Sequence, residues 1–487
     1  MDYPNPSHGL RPRVVGTEIA VPLLDGSSAA YINFDNAAST PALASVRDGV
    51  DRFLDHYASV HRGTGFKSQL ATWAYEQARE ATLAFLGGHP ETHTCIFGKN
   101  TTEAINKLAR RLELRPADVV LTTEMEHHSD DLPFRATARV VHVGVDGQGR
   151  LDEGDFDAQL RQHGRAVRLV AVTGASNVTG LVNPIHRLAE KAHAAGALFL
   201  ADCAQLAPHR AVDMGVLSDP GHLDFVAISA HKMYAPYGTG ALVGRTDIFE
   251  AGEPDVRGGG TVEVVTVDSV AWAGPPDKDE AGSPNVVGAV ALALAIRELS
   301  AIGMPAIARH EAELTAYALE RLVKVRGVHI FGDADPQSAA ERLGVIPFNV
   351  GGVSHFLVAA ILGYEFGIGV RSGCFCAHPY VLRLLGLDHA QAEAARARIL
   401  SGDRRDMPGM TRISFGMYNS TQEIDRFLDA LAVVAAGKQR GRYTQNATTG
   451  EFRPDGWAPD FGAIFGLSHP GNPAGAHGLG SRSNRPG

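Results

Sequence analysis

Two residues at the ends of apolar runs carry most of the chemistry this sequence can be expected to do. Asp202 closes the run Ala197-Leu198-Phe199-Leu200-Ala201, and Lys232 stands 30 positions later in Ser229-Ala230-His231-Lys232, after Phe225-Val226-Ala227-Ile228. A lysine amine condenses with an aldehyde, and a carboxylate holds a ring nitrogen protonated so that the ring accepts electrons. Together they are what pyridoxal phosphate (PLP) chemistry requires. Either residue alone has an ordinary reading, the lysine as a solvated strand end and the acid as a cap or turn residue. Their placement on consecutive strand ends favours the cofactor.

Other polar residues recur at the same kind of position. Gly98-Lys99-Asn100-Thr101-Thr102-Glu103 opens a helix after the run through Cys95 and suits either a phosphate, on free amides and hydroxyls, or an ordinary Thr cap with Glu in the first turn, the reading preferred for this stretch taken alone. Glu126-His127-His128 follows the next run. An imidazole there can stack on a ring or move protons, or the pair can be a surface feature. No further His or Cys stands nearby at zinc spacing, and no metal is expected. Asn177 and Gln205 can each reach a phenolic oxygen or a substrate, though an Asn shortly before Gly180 also suits a turn. Ser229 and His231 flank the lysine and can hold phosphate oxygens.

The elements that must position these residues are legible as apolar runs. Seven of them, from Thr94 to Val243, alternate with amphipathic stretches such as 103–114, where Ala104, Ile105, Leu108, Ala109 and Leu112 share a face. Continuous runs of this kind predict strands buried on both faces, hence an α/β fold with a mostly parallel sheet, and ligands collect at the carboxyl ends of such sheets. A second region, with a long apolar helix from 283 to 299, the run Val345 to Val350 and a final helix near 422–436, predicts a smaller α+β domain. We expect residues 1–30 to pack on that small domain, 31–295 to form the large domain and 296–437 the small one. Residues 438–487 read as a Gly/Pro-rich extension, partly disordered, with Phe452, Trp457, Phe461 and Phe465 docking part of it.

The chain has 487 residues, 44% of them hydrophobic, and a net charge of −9, so a broad basic surface for nucleic acid or anionic membrane is not expected. Four cysteines, Cys95, Cys203, Cys374 and Cys376, make no disulfide framework. No apolar run approaches the roughly 20 residues of a membrane span, and no signal segment is seen, so a cytoplasmic location is the expectation.

Taken in order, Asn36-Ala37-Ala38-Ser39, His61-Arg62-Gly63, Asn100 to Asn106, Glu126-His127-His128, Ser176-Asn177, Asp202-Cys203-Ala204-Gln205, Ser229-Ala230-His231-Lys232 and Glu280 to Asn285 resemble the class V aminotransferases, fold-type I PLP enzymes, over roughly residues 30 to 435. The cysteine desulfurase and selenocysteine lyase branch is the most similar. The resemblance implies Lys232 as the Schiff-base lysine, Asp202 as partner of the pyridine nitrogen, His127 as the stacking imidazole, and Asn177 with Gln205 near the phenolic oxygen. It places Thr101, Thr102, Ser229 and His231 on the phosphate, Ala38 and Asn177 beside the substrate, and Ser283 on the phosphate of a neighbouring subunit, hence a homodimer. In Arg371-Ser372-Gly373-Cys374-Phe375-Cys376, Cys376 falls at the position of the nucleophile that becomes a persulfide, and Arg412 at that of the carboxylate-binding arginine. A protein that accepts the sulfur is an implied partner.

Three features depart from the branch. Arg412 follows Cys376 by 36 positions, a longer separation than in the desulfurases it resembles, and the excess includes a charged, helical segment from Gln391 to Ser401. Asp130 stands where those enzymes usually carry Asn, and the C-terminal extension has no counterpart in their core. Cys374 can resolve a persulfide or serve as a small turn residue, whereas Cys95 and Cys203 read as packing residues. The leading expectation is cleavage of the carbon-sulfur bond of L-cysteine or a related amino acid. A lyase on a larger sulfur or sulfoxide substrate, an epimerase or aminotransferase, and a non-catalytic PLP-binding protein are the alternatives.

Overall fold

The computed structural model describes residues 12–61 and 63–466. Arg62 and the last part of the C-terminal extension, where disorder is expected, lie outside the described residues.

All seven apolar runs are strands of one sheet: β1 (His93–Gly98), β2 (Val119–Thr123), β3 (Arg139–Val143), β4 (Val167–Thr173), β5 (Leu198–Asp202), β6 (Phe225–Ser229) and β7 (Gly240–Arg245). Their order is β1-β7-β6-β5-β4-β2-β3, and only β7 runs against its two neighbours. Because side chains alternate across a strand, successive residues of each run serve opposite cores. Val170, Val172, Phe199, Ala201, Val226 and Ile228 face one. Leu169, Ala171, Leu200, Ala227 and Leu242 face the other, against the helix Thr101–Arg111. Truncating a fully buried aromatic such as Phe199 to Ala would cost about 3–5 kcal/mol. Asp224, just before β6, accepts from Phe199 N at 2.8 Å, from His193 Nε2 at 2.8 Å and from Arg245 Nη1 at 3.1 Å, and so pins three elements at the far end of the sheet.

The small domain is built on an antiparallel sheet of β8 (Val328–Ile330), β9 (Val345–Val350), β10 (Arg371–Gly373) and β11 (Met410–Ser414), in the order β8-β9-β11-β10. Helices Met304–Leu322, His355–Phe366 and Thr421–Ala435 cover it around Phe348, Ile413, Phe415 and Phe427. The last begins with a capping box in which Ser420 and Glu423 satisfy each other's backbone amides. Helix Val286–Ile302 leads from the large domain and meets Met304–Leu322 at 77°. Among the described residues no single helix is long and apolar enough to cross a membrane.

The N-terminal segment touches both halves. Val15 N donates to Ala42 O and Ala44 N to Arg13 O, beside the large-domain core, whereas Leu24 N donates to Tyr364 O and Ile32–Asn33 pairs in parallel with Ile368–Gly369. At the other end, the extension forms a hairpin of Tyr443–Gln445 and Phe452–Pro454 on helix His355–Phe366, and Trp457 packs edge-on against Tyr364 with centroids 5.8 Å apart. The expected docking of all four aromatics fails at two of them. Phe461 and Phe465 are 58% and 75% exposed, the first on and the second just after the short helix Phe461–Ile464, which buries no residue.

Candidate active site

The carboxyl ends of the strands converge on a cavity of about 240 Å³, closed on the other side by the small domain. Its walls hold Thr101, Thr102, His127, Asn177, Asp202, Gln205, Ser229, His231 and Lys232 from the large domain, Ala38 from the N-terminal loop, and Arg371, Cys376 and Arg412 from the small domain. Every site residue expected from the sequence lines it except Ser283. That residue is exposed, on the turn before helix Val286–Ile302.

Strand register explains the pairing of Asp202 and Lys232. Asp202 is the last residue of β5, opposite Thr173 of β4 on one side and Ala227 of β6 on the other. Two residues beyond Ala227, β6 ends and a tight turn, Ala230–Lys232, delivers the lysine. Residues 36–40 lock that turn, because Thr40 N and Thr40 Oγ1 donate to His231 O at 2.8 and 3.1 Å and Tyr234 N donates to Thr40 Oγ1 at 2.7 Å. Burial pushes the Lys232 amine down to about 8, against the pull of Asp202, and so brings the neutral, nucleophilic form within reach at ordinary pH. Asp202, 4% exposed, accepts from Ala204 N at 2.9 Å, and its carboxyl is raised by burial, offset by Lys232. A protonated ring nitrogen would complete that offset.

His127 caps the short turn that follows β2. Its Nδ1 accepts from Ser129 N at 3.1 Å, which leaves the ring proton on Nε2, and burial together with Lys232 lowers the imidazole to about 3. It is therefore a neutral ring, suited to stacking. Ser129 Oγ lies 2.9 Å from His127 Nδ1 and 2.6 Å from Thr102 Oγ1, so His127 is tied to the helix Thr101–Arg111. That helix starts at Asn100, whose side chain accepts from Glu103 N, while Thr101 N donates to Ser229 Oγ at 2.8 Å. The cap is Asn100 and not a Thr, and Thr101, Thr102 and Ser229 line the cavity. His231 is lowered to about 4, mainly by burial.

The small-domain wall is held by bonds that span the chain. Arg412, 2% exposed, donates from Nη1 to Asn177 O at 2.7 Å and from Nη2 to Asp35 Oδ1 at 3.0 Å, and its guanidinium lies 4.7 Å from the Phe375 ring. Asn177 Nδ2 donates to Phe375 O at 2.6 Å and Gln205 Nε2 to Ala37 O at 2.7 Å; each amide keeps a second N–H for a ligand. Cys376 is exposed, and both it and Phe375 hold left-handed backbone, at φ 56° and 51°, a conformation costing non-glycine residues roughly 1–2 kcal/mol each. The strain is held by Asn177 on Phe375 O and by His128 N on Cys376 O at 2.8 Å. Next to it, His128 and His378 stack at 4.9 Å, both lowered chiefly by burial.

Cys374 is buried, donates to Pro408 O at 3.0 Å and is pushed up to about 12 by burial, which favours the turn reading over the resolving one. Cys95 is buried in the middle of β1 and Cys203 just after the end of β5, and burial raises both. Sequence reasoning did not single out Asp35, Asn100, Ser129 or Phe375. Asn100 and Ser129 were within reach, since a capping Asn and a Ser two residues after His127 are local signals. Asp35 and Phe375 act through partners far away in the chain.

The comparisons agree with this geometry. The class-V aminotransferase family model matches residues 32–427. A probable cysteine desulfurase of Streptomyces coelicolor is 35% identical over 420 residues, 84% of this chain and 92% of its own length. The cysteine desulfurase of Haloferax volcanii is 33% identical over 429 residues, 86% and 93% of the two chains. Among solved structures, a cysteine desulfurase from Thermococcus onnurineus superposes with a TM-score of 0.73 at 34% identity, over 84% of this chain and 95% of that one. Another, from Escherichia coli, gives 0.70 at 27% identity, over 84% and 96%. With its fold, its strand-end constellation and these relatives in agreement, the chain belongs to the class-V aminotransferase family and is a PLP-dependent enzyme.

Proposed function

We propose that the protein is a cysteine desulfurase that removes sulfur from L-cysteine, with Cys376 as the nucleophile. The observation that carries this reading is an exposed thiol, Cys376, on a strained and pinned loop in the same cavity wall as Arg412, facing the Lys232 and Asp202 side. The residues present fit PLP. Lys232 would hold it covalently, Asp202 its ring nitrogen, His127 its ring face, and Thr101, Thr102, Ser229 and His231 its phosphate. When bound, PLP supplies an aldehyde for the substrate amine and an electron sink that labilises bonds beyond the α carbon.

The chain's own residues do the rest. Arg412 presents a planar cation to the substrate carboxylate while Asp35 and Asn177 O fix its plane. Lys232, with its lowered affinity for protons, takes and returns the proton at the α carbon. Cys376 Sγ, as the thiolate, forms a bond to the substrate sulfur as the bond from that sulfur to the β carbon breaks. The β carbon takes a proton, alanine leaves, and Cys376 carries the persulfide to a thiol acceptor. An acceptor protein would meet Cys376 from solvent, where the loop is open.

We also propose a homodimer. The hairpin of Val262–Val265 and Val270–Trp272 exposes Val264, Val265, Val267 and Val270, and Phe66 and Trp73 are also exposed; these apolar side chains support pairing of two copies. Purified holoenzyme with L-cysteine and dithiothreitol should release alanine and sulfide in equal amounts. Pyruvate with ammonia, an inverted amino acid or a keto acid would replace the desulfurase reading by a lyase, epimerase or aminotransferase.

A further inference from the structure

Beside Asp202, which the proposed chemistry uses, lie two acids that it does not, Glu126 and Asp130. Glu126, Asp130 and Asp202 are all buried, Asp130 completely. Glu126 has two donors, Thr123 Oγ1 at 2.7 Å on Oε1 and Thr173 N at 2.8 Å on Oε2. Asp202 has Ala204 N and the Lys232 ammonium. Asp130 has neither kind of support. Both of its carboxyl oxygens are buried without a hydrogen-bond donor, and the groups that act on it most strongly are other carboxyls: Glu126 within side-chain hydrogen-bonding reach, Asp202, and Asp131. Asp131 is already held by Arg135 at 2.6 and 2.7 Å and by His142 at 3.3 Å, and the nearby Cys203 thiol offers no charge to oppose.

We propose that Asp130 is a neutral carboxylic acid that donates its proton to the Glu126 carboxylate, and that it acts as a positioning residue for Asp202 and His127. Two carboxylates cannot lie in contact without a proton between them, and burial makes an unpaired negative charge more costly still. Of the two contacting acids, Glu126 has the donors that stabilise an ion and Asp130 has none, so the proton belongs to Asp130. Burial raises both above the usual carboxylate range, but the neighbouring acids add to the rise at Asp130, whereas the bonds from Thr123, Thr173 and Asp130 oppose it at Glu126. In its neutral form Asp130 donates a hydrogen bond and adds no charge beside Asp202. It also ends the turn His128–Asp130 and donates its backbone N–H to His127 O at 2.8 Å, so the acid pair fastens the His127 turn to the sheet.

The sign of the pH effect follows. Above the ordinary aspartate pKa of about 3.9 the unfolded chain has released this proton while the folded chain retains it, so wild-type stability falls as pH rises toward the elevated folded value. Asp130→Asn has no such proton. Infrared spectra of the apoprotein at pH 7 should show a protonated-carboxyl C=O band in the wild type that is missing in Asp130→Asn. The melting temperature of Asp130→Asn should match the wild type near pH 5 and exceed it increasingly up to pH 9. If the two melting curves run parallel and no band is lost, Asp130 is ionised and the proposal fails. If Glu126→Gln, rather than Asp130→Asn, removes the band, the proton sits on the wrong partner and the proposal also fails. These readouts need neither cofactor nor turnover, so they stand apart from the desulfurase reading. The coupling to Asp202, which rests on the PLP reading, is tested by PLP affinity: between pH 7 and 9 the wild type should weaken several-fold more than Asp130→Asn, in which Lys232 titrates alike, and equal pH profiles would overturn that coupling.

Discussion

The two walls of the cavity are built in opposite ways. The large-domain wall places Lys232, Asp202 and His127 at strand ends or within four residues of them, on a sheet whose register leaves them little choice. The small-domain wall places Cys376 on exposed left-handed backbone, held by a few bonds from distant residues. A rigid site suits a group that stays through every turnover. An open, strained loop suits a thiol that must meet substrate on one side and a sulfur acceptor on the other.

The inserted segment deepens the contrast. The helix His389–Leu400 leads into residues 401–409, and these touch the loop directly: Pro408 O accepts from Cys374 Sγ, and Met407 O lies 3.0 Å from His355 Nε2. The C-terminal hairpin braces the other side of the insert, with Arg404 N donating to Ala447 O at 2.8 Å and Gln445 Nε2 to Arg405 O at 2.9 Å. The segment 401–409 and the C-terminal hairpin thus form one structure behind the cysteine loop.

Perturbing the cofactor wall should have the largest effect. Lys232→Ala should abolish covalent cofactor attachment, seen as loss of the protein-bound absorbance band, and turnover with it. A smaller but still large effect is expected across the cavity: Arg412→Lys loses the planar fork and leaves Asp35 with an ill-fitting partner, so KM for L-cysteine should rise at least about tenfold while the bound cofactor's spectrum is unchanged. Removing the buried guanidinium outright, as in Arg412→Ala, takes this partner from the half-buried Asp35 and should lower the melting temperature. The pH dependence separates the walls again. Cofactor capture by apoprotein needs the neutral Lys232 amine, so its rate at subsaturating PLP should rise with pH and level off above about 8. The smallest change is Gln445→Ala, which removes the hydrogen bonds from its side-chain amide to Arg405 O and Gly450 O; we expect about 1 kcal/mol of stability lost and a modest drop in sulfide release, with cofactor binding intact.

The same contrast separates what the sequence discloses from what it hides. The β strands, Lys232 and Asp202 were legible because a strand buried on both faces writes itself as an apolar run, and the residue after the run points into the site. The nucleophile, the arginine and the insert were legible by resemblance. The Asn177 to Phe375, Arg412 to Asp35 and Arg404 to Ala447 bonds were not, because each joins residues far apart in the chain and no local pattern marks either partner. Phe461 and Phe465 misled for the complementary reason: aromatic content signals docking only when a surface is there to receive it.

The central claim is that sulfur leaves the substrate on Cys376. Holoenzyme mixed with one equivalent of L-cysteine without reductant, quenched with an alkylating agent and digested, should yield a peptide in which Cys376 carries the mass of one additional sulfur atom, with one alanine released per labelled site. If alanine and sulfide form while Cys376 carries no extra sulfur, and Cys376→Ala turns over L-cysteine at the wild-type rate, the account is contradicted.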